Sequence, residues 1–237
     1  MPAVMLVSGM SGSGKSTLAK LLCEKYGLVH FDADCWTVGR DPVHEAGAAI
    51  KPEDFQAAEE KVPEITKLRM GYTTELIKGL KGGTPDVGPI EAFYAALVAK
   101  IQEVRAAYPG MGIVVSRGVF LRQERDVMRA LVGKDFACVV LCLSPELLGK
   151  RRLERTKQEA ADAGKTLEEH VMAYPASLVP GSTFEEKLKF LGSSSGPTAK
   201  EGDADESDTF NLRVTEETTK EAMLSEASAL LGLPSSL

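Results

Sequence analysis

The chain has 237 residues, 43% of them hydrophobic, which is enough to bury the core of one large domain. Its net charge of −6 comes from 34 acidic and 28 basic residues, and it argues against a general nucleic-acid-binding protein, which needs a basic excess or stripe. The longest apolar run, residues 136–143, is too short to span a bilayer, and the four cysteines contain no C-x-x-C pair. We therefore expect a cytoplasmic protein that binds neither nucleic acid nor membrane, and the sequence leaves a homodimer open.

Predicted strands and helices alternate along the chain. The predicted strands cover residues 3–8, 28–31, 113–116, 137–143 and 209–214. The predicted helices cover residues 15–26, 52–80, 90–108 and 121–131, a segment that starts at Pro145, and residues 216–231. Because this alternation is typical of a parallel sheet with helices on both faces, we predict a single domain with a three-layer α/β fold.

The first strand runs into a glycine-rich loop. Residues 9–17, GMSGSGKST, fit the pattern G-x-x-x-x-G-K-[ST], and a helix follows them, as the motif requires. In that P-loop NTPase arrangement, backbone N–H groups of residues 12–17 surround phosphate oxygens at the positive end of the helix. Lys15 reaches the β- and γ-phosphates, and the Ser16 hydroxyl binds Mg²⁺. The predicted nucleotide site consists of Gly9, Gly12, Ser13, Gly14, Lys15, Ser16 and Thr17, and it predicts ATP and Mg²⁺ as cofactors.

Two aspartates follow the second predicted strand, in the stretch HFDADCW. Ligands of open α/β sheets bind at the carboxyl ends of the strands, so Asp32 is a candidate to orient Mg²⁺ through water. Asp34 is a candidate to accept the proton of a substrate hydroxyl during phosphoryl transfer. The alternative is that the two aspartates cap the segment that follows them. The sequence argues against a switch GTPase, because the N-K-x-D and D-x-x-G motifs of that class are absent and the single asparagine, Asn211, precedes leucine.

Arginines follow the third and fourth predicted strands. Arg117, Arg122 and Arg125 come after the third strand, and we predict that they bind an anionic substrate. The helix from Pro145 carries Arg151, a predicted nucleotide contact, and Arg155, a predicted catalytic residue that stabilises charge on the γ-phosphate. Residues 156–170 are polar and are predicted to be mobile, so that a lid over about 151–180 closes on ATP. Residues 192–208, rich in glycine, serine and acidic residues, are predicted to form a disordered loop.

These segments resemble the gluconokinase family, within the shikimate-kinase-like P-loop kinases. GMSGSGKST is similar to the G-x-S-G-S-G-K-S loop of that family, and FDADCW is similar to its aspartate pair. VVSRGVFLRQERDVMRAL, LSPELLGKRRLERTK and, more loosely, EHVMAYPASLVPGSTFEEKL also match family segments. The resemblance covers most of residues 3–191, and the glycine loop is its most specific part.

The resemblance implies roles for particular residues. Lys15, Ser16 and Thr17 would hold ATP and Mg²⁺, and Asp34 would face the hydroxyls of a sugar acid. Arg125 would match an arginine in the Y-R-D part of the family motif, as a catalytic and substrate-binding residue. Arg155 would match the lid arginine, and His170 would match a lid histidine that contacts substrate.

The sequence also departs from the family pattern. Leu121 stands where the family has a lysine, with Arg122 beside it, and Cys35 and Trp36 replace a histidine and a proline. Residues 38–85 form a predicted helical insertion in the substrate region, longer than the family pattern needs. All of these departures fall in regions that contact the substrate.

We therefore predict a kinase that transfers the γ-phosphate of ATP to a hydroxyl of a small anionic polyol or sugar acid. Two alternatives stay open. The acceptor could instead be shikimate or a nucleoside monophosphate, or the protein could bind nucleotide as a regulator without turnover.

Overall fold

The computed structural model describes residues 2–174, 179, 181–192 and 201–234. Five strands are present in this part of the chain: β1 (Val4–Gly9), β2 (Val29–Asp32), β3 (Ile113–Ser116), β4 (Phe136–Leu143) and β5 (Thr209–Val214). The helices before β3 are α1 (Lys15–Tyr26), α2 (Ala33–Thr37), α3 (Pro52–Lys61), α4 (Pro63–Leu80) and α5 (Val87–Ala107). The later helices are α6 (Arg122–Val132), α7 (Pro145–Asp162), α8 (Leu167–Met172), α9 (Phe184–Gly192) and α10 (Lys220–Leu230). None of the described helices is long and apolar enough to cross a bilayer.

The five strands form one parallel sheet in the order β2-β3-β1-β4-β5. Parallel strands all point the same way, so the carboxyl ends of β1, β2 and β3 meet at one edge of the sheet. The glycine loop, the aspartate pair and Arg117 follow these three strands, and they therefore start from that edge.

Both faces of the sheet are covered, which explains why its strands are apolar runs without alternation. Val4 and Leu6 of β1 point into a core with α4, α5 and α6, whereas Met5 and Val7 point into a second core with α1 and α10. Successive side chains of a strand point to opposite faces, so one apolar strand serves two cores. This arrangement confirms the predicted three-layer P-loop NTPase fold with its parallel sheet.

The segment expected to be mobile is helical. Within residues 156–170, α7 continues to Asp162 and α8 begins at Leu167. Pairs one turn apart support α7, such as the Arg155 Nε bond of 2.7 Å to Glu159. Thr166 and Glu169 form a capping box at the start of α8. The sequence predicted a mobile segment because the contacts that stabilise these helices are made by polar side chains rather than by an apolar face. The placement of this segment as a lid stays a prediction.

The expectation of a disordered loop over 192–208 also needs correction. Residues 193–200 lie outside the described residues, but residues 201–208 form turns that dock on α6. Glu206 is buried and both of its carboxylate oxygens accept hydrogen bonds from Arg125, at 2.9 and 2.6 Å. The local composition predicted disorder because it shows the acidic residues without their basic partners, which lie 81 residues earlier in the chain for the pair of Arg125 and Glu206.

Candidate active site

The glycine loop forms a cradle of backbone groups between β1 and α1. Gly12 has φ +84° and Gly14 has φ +103°, backbone conformations that residues with a Cβ atom rarely adopt. A side chain at Gly12 would place its Cβ 3.1 Å from Cγ of Arg152. The first turn of α1 carries no acidic residue, so its positive end is free to attract an anion. These features fit a bound phosphate chain.

Lys15 lies at the start of α1, half-buried beneath this cradle. Its Nζ donates a hydrogen bond of 3.1 Å to the carbonyl oxygen of Met10, which holds the ammonium group within the loop. Burial lowers the pKa of Lys15, while the nearby carboxylates of Asp34 and Asp32 raise it. Lys15 is thus a cation placed between the loop and two aspartates, of which Asp34 was predicted to be catalytic and Asp32 to orient Mg²⁺.

Arginines of α7 close the other side of the glycine loop. Arg152 Nε donates to the carbonyl of Ser11 at 3.0 Å, and Arg151 Nη1 donates to the carbonyl of Ser13 at 3.4 Å. Burial lowers the pKa of Arg152. Arg151 therefore lies beside the glycine loop, and its role as a nucleotide contact stays a prediction. Arg152, which the sequence analysis did not select, is held still more closely.

The remaining loop residues differ in exposure. The Ser13 side chain is buried and its Oγ has no hydrogen-bond partner among the described residues. Ser16 lies close to Gly47, since a Cβ added at Gly47 would be 3.6 Å from the Cβ of Ser16. Thr17 is exposed. An unpartnered hydroxyl next to a cradle of backbone amides fits an anionic ligand better than an empty structural turn.

Asp32 caps α2, as the alternative prediction expected. Its Oδ1 accepts hydrogen bonds from the amides of Asp34 (3.0 Å) and Cys35 (3.4 Å). Its Oδ2 accepts one from the amide of Gly47 (2.9 Å). Gly47 also contacts Ser16, so the capping carboxylate lies near the serine that would bind Mg²⁺. Its capping role is compatible with a role in orienting Mg²⁺, which stays a prediction.

Asp34 and Arg117 form a polar pair at the sheet edge where the glycine loop begins, and the space around this pair and Lys15 is called the cleft below. Asp34 Oδ1 lies 3.7 Å from Arg117 Nη1. The Asp34 side chain is 55% exposed, whereas that of Arg117 is 7% exposed. An open carboxylate beside a buried guanidinium can accept a proton from a hydroxyl while the guanidinium binds an anionic group. The structure therefore brings these two predicted substrate residues together.

An aromatic cluster beneath Arg117 fixes its position. The guanidinium lies 4.4 Å from the ring centre of Phe93, 5.2 Å from that of Tyr72 and 5.8 Å from that of Tyr94. The hydroxyls of Tyr72 and Tyr94 donate to Oε1 of Glu124, at 2.5 and 2.7 Å. Glu124 is fully buried, so α4, α5 and α6 are joined under the arginine.

Carboxylates of residues 203–206 bond Arg122 and Arg125, and the predicted substrate contacts of these two arginines need correction. Arg122 makes a bidentate ion pair with Asp205, with hydrogen bonds of 2.9 and 2.8 Å. Arg125 is fully buried against Glu206. Glu206 precedes β5 and so lies toward the amino ends of the strands, opposite to the edge where the glycine loop begins. The carboxylates of residues 203–206 satisfy these arginines, which the sequence assigned to substrate.

Two further predicted residues lie in the α7–α8 segment. Arg155 pairs with Glu159 and is half exposed, and its positive charge contributes to lowering the pKa of Lys15. His170 Nε2 lies 3.4 Å from the Tyr174 hydroxyl and 3.7 Å from Glu159. The histidine thus contacts residues of its own segment rather than Asp34 or Arg117, whereas Arg155 stays within electrostatic range of the cleft.

The sequence analysis missed Arg69 of α4. This residue follows Thr66 by three positions and precedes Tyr72 and Leu76 by three and seven, and those three neighbours are buried. Arg69 is therefore an arginine on the buried face of an amphipathic helix. That pattern was a usable signal in the sequence, since a charged residue on a buried face needs a partner or a function.

Comparisons with known proteins agree with this arrangement. A cytidylate kinase of Fervidobacterium nodosum is 27% identical over 164 residues, covering 65% of this chain and 69% of the relative. A probable gluconokinase of Mus musculus is 26% identical over 155 residues, covering 65% of this chain and 73% of the relative. The second similarity confirms the resemblance to gluconokinases.

Two solved structures align with nearly the whole chain. A gluconokinase from Sinorhizobium meliloti has a TM-score of 0.47 and 21% identity, covering 98% of this chain and 92% of its own. A sugar kinase from Janibacter sp. HTCC2649 has a TM-score of 0.46 and 17% identity, covering 98% and 96%. Both TM-scores lie below 0.5, which is too low for either structure to say more about this chain.

The family match covers both the glycine loop and the region of Asp34 and Arg117. A family profile described as "AAA domain" matches residues 4–180, well over half of the chain. This range contains the glycine loop, the aspartate pair, Arg117 and α7. The chain therefore belongs to this AAA domain family and is a P-loop kinase similar to gluconokinases.

Proposed function

We propose that the protein transfers the γ-phosphate of ATP to a hydroxyl of a small anionic polyol or sugar acid. The observation that carries the proposal is the shared sheet edge. A phosphate cradle with Lys15 follows β1, and an exposed carboxylate paired with a buried guanidinium follows β2 and β3. A nucleotide and a hydroxylated anion bound at this edge would meet between Lys15 and Asp34.

The glycine loop would hold the triphosphate. Backbone amides of residues 12–17 and the ammonium group of Lys15 would neutralise its oxygens. Arg151, Arg152 and Arg155 would add positive charge from α7. Ser16 would bind Mg²⁺ with Asp32 behind it, and the ion would supply charge neutralisation of the β- and γ-phosphates.

Asp34 would act on the acceptor side as the general base. Its exposed carboxylate would accept the proton of the attacking hydroxyl as the bond to phosphorus forms, and the bridging oxygen of ATP would leave with ADP. Catalysis would rest on positioning and charge stabilisation, because phosphoryl transfer needs little covalent help from the protein. Arg117 would bind the negative charge of the acceptor.

A coupled ADP-release assay tests this proposal with a panel of sugar acids, including D-gluconate, together with shikimate and nucleoside monophosphates. We expect acceptor-dependent turnover with a sugar acid and a loss of about 10²–10³-fold in kcat for Lys15→Ala, because one preorganised cation is removed from the transferring phosphate. Lys20→Ala is the matched control, since Lys20 lies on α1 and its side chain is 73% exposed. ATP binding without turnover on any acceptor would instead favour a nucleotide-binding regulator.

A nucleoside monophosphate is the second candidate acceptor. The similarity to the cytidylate kinase of Fervidobacterium nodosum favours it, at an identity close to that of the gluconokinase relative. In CMP the accepting group would be an oxygen of its phosphate ester, which attacks the γ-phosphate while ADP leaves, and Arg117 would bind the negative charge of that ester. Selective turnover of CMP over D-gluconate would overturn the sugar-acid proposal in favour of this one.

A further inference from the structure

Arg69 is a half-buried arginine whose hydrogen bonds among the described residues are incomplete. Its Nη1 atom is inaccessible to solvent and donates to no acceptor among the described residues. Its guanidinium lies 5.0 Å from the ring centre of Phe55 on α3. An ion–ring contact compensates only part of the cost of removing an N–H of a cation from water.

Arg69 lies within electrostatic range of both Arg117 and Asp34. Tyr72 lies one turn after Arg69 on the buried face of α4. The Tyr72 ring lies 5.2 Å from the Arg117 guanidinium, so the two arginines approach from neighbouring elements. Arg117 is only 6% exposed, and its buried Nε also has no partner in the part of the chain that the structure describes.

The charges around this pair are unbalanced. Burial lowers the pKa of Arg69 and the charge of Arg117 lowers it further, whereas Glu59 and Asp34 raise it. Glu59 is exposed to solvent, so Asp34 is the acidic group within the cleft that faces two guanidinium groups. Two neighbouring guanidinium groups from which water is partly excluded repel each other unless an anion lies between them.

We propose that Arg69 and Arg117 together bind the acid group of the acceptor, and that Arg69 is the residue that selects acidic over neutral acceptors. The inference rests on the proposed function, because it assumes that the acceptor lies beside Asp34. The unpartnered N–H groups of the two arginines would donate to the oxyanion of a carboxylate or phosphate ester, and Asp34 would remain for the hydroxyl. The predicted insertion at 38–85 would then supply specificity through α4.

Calorimetry tests this assignment directly on the full-length protein. Binding of D-gluconate, CMP and the neutral polyol D-glucitol is measured with excess Mg·ADP present, so that the glycine loop is filled and cannot bind the probes. We expect at least one of the two acids to bind wild type more than tenfold more tightly than D-glucitol, and Arg69→Gln to abolish that preference. Whether D-gluconate or CMP shows the preference distinguishes a carboxylate from a phosphate.

Lys67→Gln is the matched control. It removes one positive charge from the same helix, and Lys67 is exposed on the face away from Arg69. We expect Lys67→Gln to keep the wild-type preference for the acid. In turnover assays, Arg69→Gln should raise KM for the acidic acceptor at least tenfold and leave KM for ATP within twofold, because Arg69 would contact the acceptor alone.

Thermal unfolding separates a binding role from a structural one. An arginine that stabilises the fold lowers Tm when it is replaced, whereas removal of an incompletely bonded buried cation raises Tm. We expect Arg69→Gln to raise Tm by about 2–4 °C, and Arg69→Lys, which keeps the charge, to retain part of the acid preference.

The outcomes separate this inference from the proposed function. Equal acid binding by wild type and Arg69→Gln overturns the inference even if the enzyme phosphorylates a sugar acid. Failure of wild type to prefer either acid over D-glucitol also overturns it. If no acceptor is phosphorylated but Arg69→Gln still loses the acid preference, the proposed function is wrong and the binding site stands.

Discussion

Arginines in two regions of the molecule look alike in the sequence and differ in their surroundings. Arg122 and Arg125 on α6 face the acidic residues 203–206, and the ion pairs occupy their guanidinium groups. Arg69 and Arg117 lie among aromatic rings, and each retains a buried nitrogen with no partner among the described residues. Burial alone therefore does not distinguish an arginine that binds a ligand from one that stabilises the fold, and incomplete hydrogen bonding is the feature that the two regions do not share.

The two regions differ in whether their guanidinium groups still have hydrogen-bond donors available for a ligand. A buried ion pair is satisfied only when the partners bond each other fully, and then neither has capacity for a ligand. An arginine that is held by ring contacts keeps its donors available. The clamp between α6 and residues 201–208 is therefore expected to support stability, and the cleft arginines are expected to support binding. Substitutions in each region test this division.

Arg125→Met should give the largest loss of stability. Its side chain is 0% exposed and that of Glu206 is 1% exposed, so the substitution leaves a buried carboxylate with Arg129 as its remaining arginine partner. Breaking such a pair costs about 3–5 kcal/mol, which denaturant unfolding would measure. The double variant Arg125→Met with Glu206→Met should be more stable than Arg125→Met, because the unpaired carboxylate is gone. A selective rise in acceptor KM with unchanged stability would contradict the division.

Acid should weaken the same clamp. Burial by itself would raise the pKa of Glu206, but hydrogen bonds from Arg125, the Asp203 amide and Arg129 outweigh it and lower the pKa from 4.5 to about 2. The folded state binds this proton less tightly than the unfolded state does. The stabilisation is therefore complete above about pH 4.5 and is lost as the pH falls from there toward about 2. With allowance for solvent screening, it amounts to roughly 2 kcal/mol.

Glu206→Gln provides the control for the pH dependence. The amide cannot titrate, so the acid limb of this variant should be flatter than that of wild type between about pH 4.5 and 2, when free energies of unfolding are compared across the range. Parallel acid limbs in the two proteins would show that other carboxylates determine acid sensitivity.

Most of the fold could be predicted from the sequence because local signals carried it. Apolar runs predicted the five observed strands, and capping and spacing predicted the long helices, including α5 at 87–107. The prediction for residues 201–208 was wrong because their order depends on arginines of α6, far away in the chain. The helical character of residues 156–162 was missed because polar i,i+4 pairs support it without a wide apolar stripe.

The candidate site was predictable on its nucleotide side and only partly on its acceptor side. The glycine loop is contiguous, so its spacing alone defines it. Arg117, Arg122 and Arg125 follow one strand, and the sequence does not tell which of them turns toward the cleft. Glu124, next to Arg125, is bonded to Tyr72 and Tyr94 from two other helices. That contact depends on tertiary packing, which no local pattern shows.

Substitutions at Tyr72 distinguish its hydrogen bond to Glu124 from the contact of its ring with Arg117. Tyr72→Phe removes the hydroxyl that donates to Glu124 and should cost about 1.5 kcal/mol of stability, the value for a hydrogen bond to a charged group. The ring beside Arg117 remains, so acceptor KM should change less than threefold. Tyr72→Leu also removes the ring and should raise acceptor KM further. Unfolding and steady-state kinetics measure the two effects, and equal KM values for the two variants would exclude a role of the ring in holding Arg117.

Arg122→Gln should give the smallest effect. Its guanidinium bonds Asp203 and Asp205, but the side chains of the three residues are 40%, 56% and 67% exposed. Exposed ion pairs contribute little to stability because water and salt screen them, and the small loss of stability should shrink further at 1 M salt. Acceptor KM should stay at the wild-type value, in contrast to Arg69→Gln. A tenfold rise in KM for Arg122→Gln would mean that residues 203–205 leave α6 and that this arginine joins the cleft when substrate binds.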